Sequence, residues 1–441
     1  MSGPVDLTMA NAFIPGKVAL SASEQALVER RARLLGPAYR LMYDRPLHIV
    51  RGEGVWLYDA DGKPYLDVYN NVASLGHCHP AVVEAIARQA AVLATNTRYL
   101  HEIILDYAER LLATFPAPLG HVMFTCTGSE ANDLAYRIAR TATGGTGIIV
   151  TETAYHGITD TVSQFSPSLG AAVPLGAHVR TVPAPHNYGA GADVGQAFGA
   201  AVERAAADLI RHGIRPAMLI VDSLFTSDGV CAEPASFLAP AVEAIRRAGG
   251  LFVADEVQPG FGRSGRHMWG FQRHGVVPDL VTLGKPMGNG QPVAGLVAPP
   301  AIVDEFGRKA RYFNTFGGNA VSCAAAMAVL RTIEQDRLMA NADAVGAHMR
   351  AGIARLAESH GCIGAVRGAG LMMGVDVVAD GEPDAAATAR IVNGLRERGV
   401  LISSCGARHN VLKIRPPLVF SRDNADHFLD RLGDTLAARS A

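Results

Sequence analysis

The apolar positions of this chain follow two alternating rhythms. Between residues 122 and 298, short apolar runs recur between longer segments with helical spacing. The runs at 122–124, 148–151, 179–182, 218–221, 251–254, 280–283 and 294–298 have the length of buried strands and are bounded by turn residues. Helical patterns at 202–211 and 237–248 lie between some of them. Strand and helix in alternation predict an α/β fold, with a largely parallel seven-stranded sheet covered on both faces. Only about ten residues separate the last two runs, too few for a helical crossover, so one of them is expected to run antiparallel.

Outside this stretch the patterns change. Ser21-Ala22-Ser23-Glu24 has the form of a capping box opening a helix to Leu35, and Gly36-Pro37 stops it. Residues 48–69 alternate apolar and polar around Asp61-Gly62, which predicts a β-hairpin. One helix is expected after Pro80 and another over 102–112. After residue 320 come helices at 321–333 and 338–359, a strand at 371–378, a helix at 384–398, strands at 400–403 and 411–415, and a last helix from Asn424. This is an α+β block. The expected division is a helix and hairpin in 1–75, a large domain in 76–320, and a small domain in 321–441 whose sheet includes the N-terminal hairpin.

Composition narrows the class. The 441 residues are 49% hydrophobic with a net charge of −1, which fits a soluble globular protein and gives no nucleic-acid footprint. The apolar stretches are strand-length, so no membrane span is expected. The N-terminus carries Asp6 and lacks a basic segment, which argues against a secretory signal and for a cytoplasmic protein. Six scattered cysteines without a C-x-x-C spacing read as reduced thiols. His77-Cys78-His79 lacks a third ligand nearby and reads as a turn holding the hairpin against the large domain, not as a metal site.

Lysine usage brings the chemistry forward. Of 40 Lys and Arg residues only five are lysines: Lys17, Lys63, Lys285, Lys309 and Lys413. Lys285 stands just past an apolar run, between Gly284 and Pro286. Arg stays protonated; a desolvated Lys becomes a nucleophile for carbonyls. Asp255 also follows an apolar run, so an acid and an amine each sit at the C-terminal end of a strand, where open α/β sheets bind ligands. Thr127-Gly128-Ser129, between a strand and a helix, offers bare N–H groups to an anion. A carboxylate, an amine and a phosphate cradle together meet the needs of pyridoxal 5′-phosphate.

The segment from Asp255 to Gly265 resembles the D-E-x-x-x-G-x-G-R-x-G signature of the class III aminotransferases, a subgroup of the fold-type-I pyridoxal phosphate enzymes. Lys285 follows at the family's distance, and Asn314-Thr315-Phe316-Gly317-Gly318-Asn319 is similar to the segment that reaches across the family's dimer. The likeness runs from about Arg40 to Ala437. It implies that Lys285 forms the Schiff base and moves the proton. Asp255 would pair with the pyridine nitrogen, Val257 and Tyr155 would cover the two ring faces, and Gln258 would reach the ring hydroxyl. Gly128 and Ser129 would hold the phosphate, with Thr315 given by a second subunit. His156 is expected to hydrogen-bond within the cofactor site, and Glu256 to pair with Arg263. Pro259 and Ala320 depart from the family pattern at loop positions without removing a catalytic atom.

Arg415 and Arg98 are the candidate substrate contacts, Arg415 as a clamp for a carboxylate. The resemblance is nearest the branch that holds alanine–glyoxylate aminotransferase-like proteins and ethanolamine-phosphate phospho-lyases. It implies an aminotransferase moving an amino group from an amino acid or ω-amine to a 2-oxo acid, in a homodimer with shared active sites or a tetramer built from it. The alternative is a phospho-lyase eliminating phosphate from an O-phosphorylated amine. In that branch the place of Arg415 is often taken by Lys, so Arg415 favours transfer.

Overall fold

The computed structural model describes Met9, residues 11–188 and residues 193–438; Asp6 lies outside them. The capping box at Ser21 is formed: Ser21 Oγ accepts from Glu24 N at 3.3 Å, and Glu24 Oε2 accepts from Ser21 N at 2.8 Å. It opens the helix Ala22–Leu35, which Gly36 ends at φ 69° and which has no buried residue. The expected hairpin is instead a three-stranded meander of β1 (Ile49–Glu53), β2 (Trp56–Asp59) and β3 (Pro64–Asp67). Gly54 at φ 55° supplies a second tight turn between β1 and β2.

All seven apolar runs are strands of one sheet. They are β4 (His121–Thr125), β5 (Gly147–Thr151), β6 (Val179–Val182), β7 (Pro216–Asp222), β8 (Leu251–Asp255), β9 (Leu280–Leu283) and β10 (Ala294–Ala298), ordered β4-β10-β9-β8-β7-β5-β6. β10 is antiparallel to both neighbours, as its short connection requires, and the other pairs are parallel. Residue alternation divides the core between the two faces. Ile149, Leu219, Phe252 and Val281 pack with the helices Val194–Arg211 and Ala239–Arg247. Their neighbours Ile148, Met218, Val253 and Leu280 pack with the helix Gly128–Thr143. The helix expected from 202 begins at Val194, capped by Asp193.

The C-terminal block holds β11 (Ile363–Ala369), β12 (Met372–Ala379), β13 (Glu382–Pro383), β14 (Val400–Leu401), β15 (Ser403–Cys405) and β16 (Val411–Ile414). β11 has no counterpart among the expected strands. Gly364, Arg367 and Gly368 break its apolar pattern, and Gly368 takes φ 143°. The run at 400–403 splits between two sheets. β14 pairs in parallel with β3, and β15 pairs with β16 in the sheet β11-β12-β16-β15. The meander therefore forms its own sheet and recruits one C-terminal strand, rather than joining the C-terminal sheet.

The turn at His77 does hold the meander. His77 Nε2 lies 2.7 Å from Asp67 Oδ2, and His77 and Gly54 exchange backbone hydrogen bonds of 2.7 and 3.1 Å. Asn289, four residues after Lys285, accepts from Leu75 N and donates to Gly76 O. The six cysteines are free thiols, and no helix among the described residues is long and apolar enough to cross a membrane.

Gly76 is the tightest point of this junction, at φ 83°, where a Cβ would lie only 2.6 Å from Gly54 O. Gly76→Ala should destabilise the fold by about 2–3 kcal/mol. Urea unfolding followed by tryptophan fluorescence measures it; an unchanged midpoint would mean the junction relaxes at no cost.

Candidate active site

The site is assembled at the C-terminal ends of β4, β5, β7, β8 and β9. Asp255 ends β8 and is buried. Its Oδ2 lies 2.7 Å from His156 Nδ1 and accepts from Asn132 Nδ2 at 2.9 Å, and its Oδ1 accepts from Val257 N at 3.0 Å. Asn132 also donates to His156 O and accepts from Thr282 Oγ1, so the carboxylate is braced from β9 and from the loop after β5. His156 is thus an orienting partner of Asp255.

The helix Gly128–Thr143 begins directly after the Thr127 turn that follows β4. Thr127 is its N-cap, in a capping box with Glu130, so Gly128 and Ser129 are its first residues with N–H groups free of helical acceptors. The close fit here requires glycine. A Cβ on Gly128 would lie 2.9 Å from Val257 Cγ2, and one on Gly157, at φ 142°, would lie 2.4 Å from Ser129 Oγ.

Lys285 follows β9 and faces Asp255. Its amine makes no hydrogen bond or ion pair among the described residues. Desolvation first, and then the Arg415 charge, push it down to about 8. Gly128, Ser129, Tyr155, His156, Gly157, Asp222, Asp255, Val257, Gln258 and Lys285 line one cleft. Across Tyr155, Gln258 and Lys285 it opens into a cavity of about 780 Å³ that also reaches Tyr69, Ser403, Lys413 and Arg415.

Arg415 is 7% exposed and held on several sides. Its Nε donates to Tyr69 O at 2.8 Å, Nη1 donates to Gln258 Oε1, and the guanidinium lies 4.3 Å above the Tyr69 ring. Gln258 Nε2 is 3.5 Å from Asp222 Oδ2, and burial pushes the Asp222 carboxyl up to about 6.

Arg98 and Thr315 are not brought into this cleft by their own chain. Both are exposed, and the Arg98 guanidinium lies 3.8 Å over the Phe313 ring. Glu256 does not pair with Arg263. It accepts from Ser223 Oγ, Gly270 N and Phe271 N at 2.6–2.8 Å, while Arg263 donates to Leu371 O and Pro416 O. The signature arginine faces the C-terminal segment, leaving the acid to pin a nearby loop.

The aminotransferase class-III family pattern matches residues 40–436. The chain belongs to the class III aminotransferases. It is 40% identical to an alanine–glyoxylate aminotransferase 2-like protein of Drosophila melanogaster, over 97% of this chain and 90% of that one. Among solved structures it is similar to a phospholyase from Arthrobacter in complex with phosphoethanolamine, at 45% identity and a TM-score of 0.90, covering 93% of this chain and 99% of that one. A PLP-bound amine transaminase from an uncultivated Pseudomonas species matches at 30% identity and a TM-score of 0.81, covering 90% and 95%. Pyridoxal 5′-phosphate is the cofactor of this family. The residues present fit it. A buried carboxylate, an unpartnered amine and a glycine-walled helix N-terminus meet in one cleft.

Sequence reasoning missed Asn132, Asp222, Gly157 and Lys413. Asp222 ends a strand as Asp255 does, and Lys413 is one of only five lysines and alternates with Arg415, so both left a signal. Asn132 left none, because its value lies in contacts with residues 24 and 123 positions away.

In cofactor-free protein, reductive methylation of Lys285 should rise with a midpoint near pH 8, well below the ordinary lysine range. Peptide mass spectrometry reads this; a midpoint near 10.5 would mean the amine is not desolvated. His156→Leu should weaken cofactor affinity about 10-fold, through loss of one charge-assisted hydrogen bond to Asp255. Equilibrium dialysis against the free cofactor checks it.

Proposed function

We propose that this enzyme is a transaminase, moving the amino group of a small amine or amino acid with an anionic tail to a 2-oxo acid. The observation that carries it is the pairing of the desolvated Lys285 amine with the Arg415 guanidinium across one cavity. Pyridoxal phosphate, when bound, supplies an electron sink for the carbon that loses its proton. Lys285 is the residue to take and return that proton. The buried Asp255 carboxylate would hold a proton on the pyridine nitrogen, with His156 and Asn132 fixing its direction. Gly128 and Ser129 would hold the phosphate, Val257 and Tyr155 the ring faces, and Gln258 the ring hydroxyl. Arg415 would orient the substrate by its anionic end, leaving the amine at Lys285.

The working unit in this reading is a homodimer. Tyr99, Leu100, Phe313 and Phe316 are exposed at 67%, 98%, 38% and 69%. They flank Arg98 and Thr315, the candidate site residues that their own cleft does not use. A second copy covering this surface would bring Thr315 to the partner's phosphate cradle and bury the apolar side chains.

A second reading is favoured by Lys413, a further buried cation on the cavity wall beside Arg415. On an amine with phosphate on the adjacent carbon, loss of the same proton to Lys285 lets phosphate leave with the C–O electron pair. Addition of water then gives an aldehyde and ammonia. The Arthrobacter relative with bound phosphoethanolamine supports this alternative.

One experiment separates the two. The visible absorption of the cofactor-loaded enzyme is followed with alanine, an ω-amino acid or phosphoethanolamine, without oxo acid, while free phosphate is assayed. Conversion to the amine form of the cofactor by alanine or the ω-amino acid, without phosphate, is the expected result. Phosphate release from phosphoethanolamine, with the initial band retained and neither amino acid acting, would replace it by the second reading. Lys285→Ala should lower either activity by at least about 1,000-fold.

A further inference from the structure

Arg415 belongs to the C-terminal block, yet one turn of the N-terminal meander supplies most of what holds it. Its N donates to Val68 O at 2.9 Å and its Nε to Tyr69 O at 2.8 Å, and its guanidinium lies 4.3 Å above the Tyr69 ring. Val68 and Tyr69 follow directly on β3. The direction of that carbonyl and that ring therefore depends on what fixes the turn.

Asp67, the last residue of β3, is buried and fixes it. Its Oδ1 accepts from Tyr69 N at 3.0 Å and from Asn70 N at 2.8 Å. A carboxylate closing on amides just ahead of it sets the backbone without help from a strand ladder. Its Oδ2 lies 2.7 Å from His77 Nε2, so the group cannot swing off the turn without breaking that contact. The same turn touches the signature loop, where Asn71 Nδ2 is 3.5 Å from Gln258 O.

Charge follows the same layout. Arg263 and Arg415 are both buried, and their hydrogen bonds go to the neutral oxygens of Leu371, Pro416, Tyr69 and Gln258. Burial first, and then the Arg415 charge, work against the Arg263 guanidinium, and Asp67 is the carboxylate that works for it. Asp67 lines neither the cleft nor the cavity. A carboxylate bonded directly to Arg415 would have to be displaced by each substrate; one acting through the backbone aims the guanidinium and leaves it open.

We propose that Asp67, oriented by His77, is a positioning residue for substrate binding. Through the turn at 67–70 it aims the Tyr69 carbonyl and ring, and through them Arg415, into the cavity beside Lys285. The inference rests on the reading of Arg415 as the substrate's anchor and names what aims that anchor. It holds for transfer and for elimination alike.

The test is a double-mutant cycle on the holoenzyme with Asp67→Ala, Arg415→Gln and the two together. Alanine, β-alanine and phosphoethanolamine are each varied in concentration, and the absorbance change or phosphate release gives a limiting rate and a half-saturating concentration. Asp67→Ala should raise the half-saturating concentration about 10-fold and change the limiting rate less than about 3-fold. Once Arg415 is Gln, Asp67→Ala should add less than about 3-fold, because both act on one contact. Asp67→Asn keeps an oxygen for the turn amides and should stay within about 3-fold of the natural enzyme. Thermal unfolding identifies a variant that does not fold. Should Asp67→Ala be one, Asp67→Ser takes its place in the cycle, since its shorter hydroxyl supports the turn more weakly. Factors that multiply in the double variant, a fall confined to the limiting rate, or Asp67→Asn as impaired as Asp67→Ala would each overturn the proposal. So would a rise with Arg415→Gln and none with Asp67→Ala, leaving the anchor reading in place. An unchanged half-saturating concentration in Arg415→Gln, or no amine acting at all, removes the anchor reading and the proposal with it.

Discussion

A carboxylate held in the interior at the end of β8 sets the terms for the rest of this structure. Asp255 is removed from water and faces His156, Asn132 and the Val257 amide. Each of those contacts comes from a different part of the chain: the loop after β5, the helix after β4, and the turn leaving β8. An anion buried this way needs donors already in place, because forming them during the reaction would cost reorganisation. Asn132 extends the brace to Thr282 on β9, the strand that presents Lys285. The acid, the amine and the anion cradle are therefore fixed relative to one another by hydrogen bonds as well as by the sheet.

The same principle ties the Arg415 end of the cavity to the Asp255 end. Arg263, inside the signature loop, donates to Leu371 O and Pro416 O and thereby secures the segment that carries Arg415. Arg415 in turn meets Gln258, three residues beyond Asp255. Glu256 anchors the loop at Gly270 and Phe271, and burial pushes its carboxyl up to about 7. Residues of one motif thus serve different ends: Asp255 faces the cleft, Glu256 braces a loop, and Arg263 holds the C-terminal segment.

Chemistry in such a site is decided largely by what occupies the far end. Proton removal beside the amine is common to transfer and elimination, and in the proposed reading Lys285 would serve both. The divergence lies in whether the next carbon carries a group able to leave with an electron pair. In the proposed reading, residues that hold the substrate's anionic end would govern the reaction by selecting the substrate, although they touch no bond that breaks.

The large sheet and the cofactor were legible because their signals are local. Apolar runs mark buried strands, and Asp255, Gly128 and Lys285 lie at strand ends where the α/β architecture collects ligands. Gly54, β11 and the split of residues 400–403 were less legible, since glycine within a strand and a two-residue strand leave little periodicity. What the sequence determined by itself was the sheet, the family and its cofactor. Only the tertiary structure decided which donors brace Asp255, that Glu256 and Arg263 turn away from each other, and that Lys413 stands beside Arg415 in the Lys285 cavity. Those facts depend on side chains far apart in the chain meeting in a dry interior, and one-dimensional spacing carries no record of such meetings.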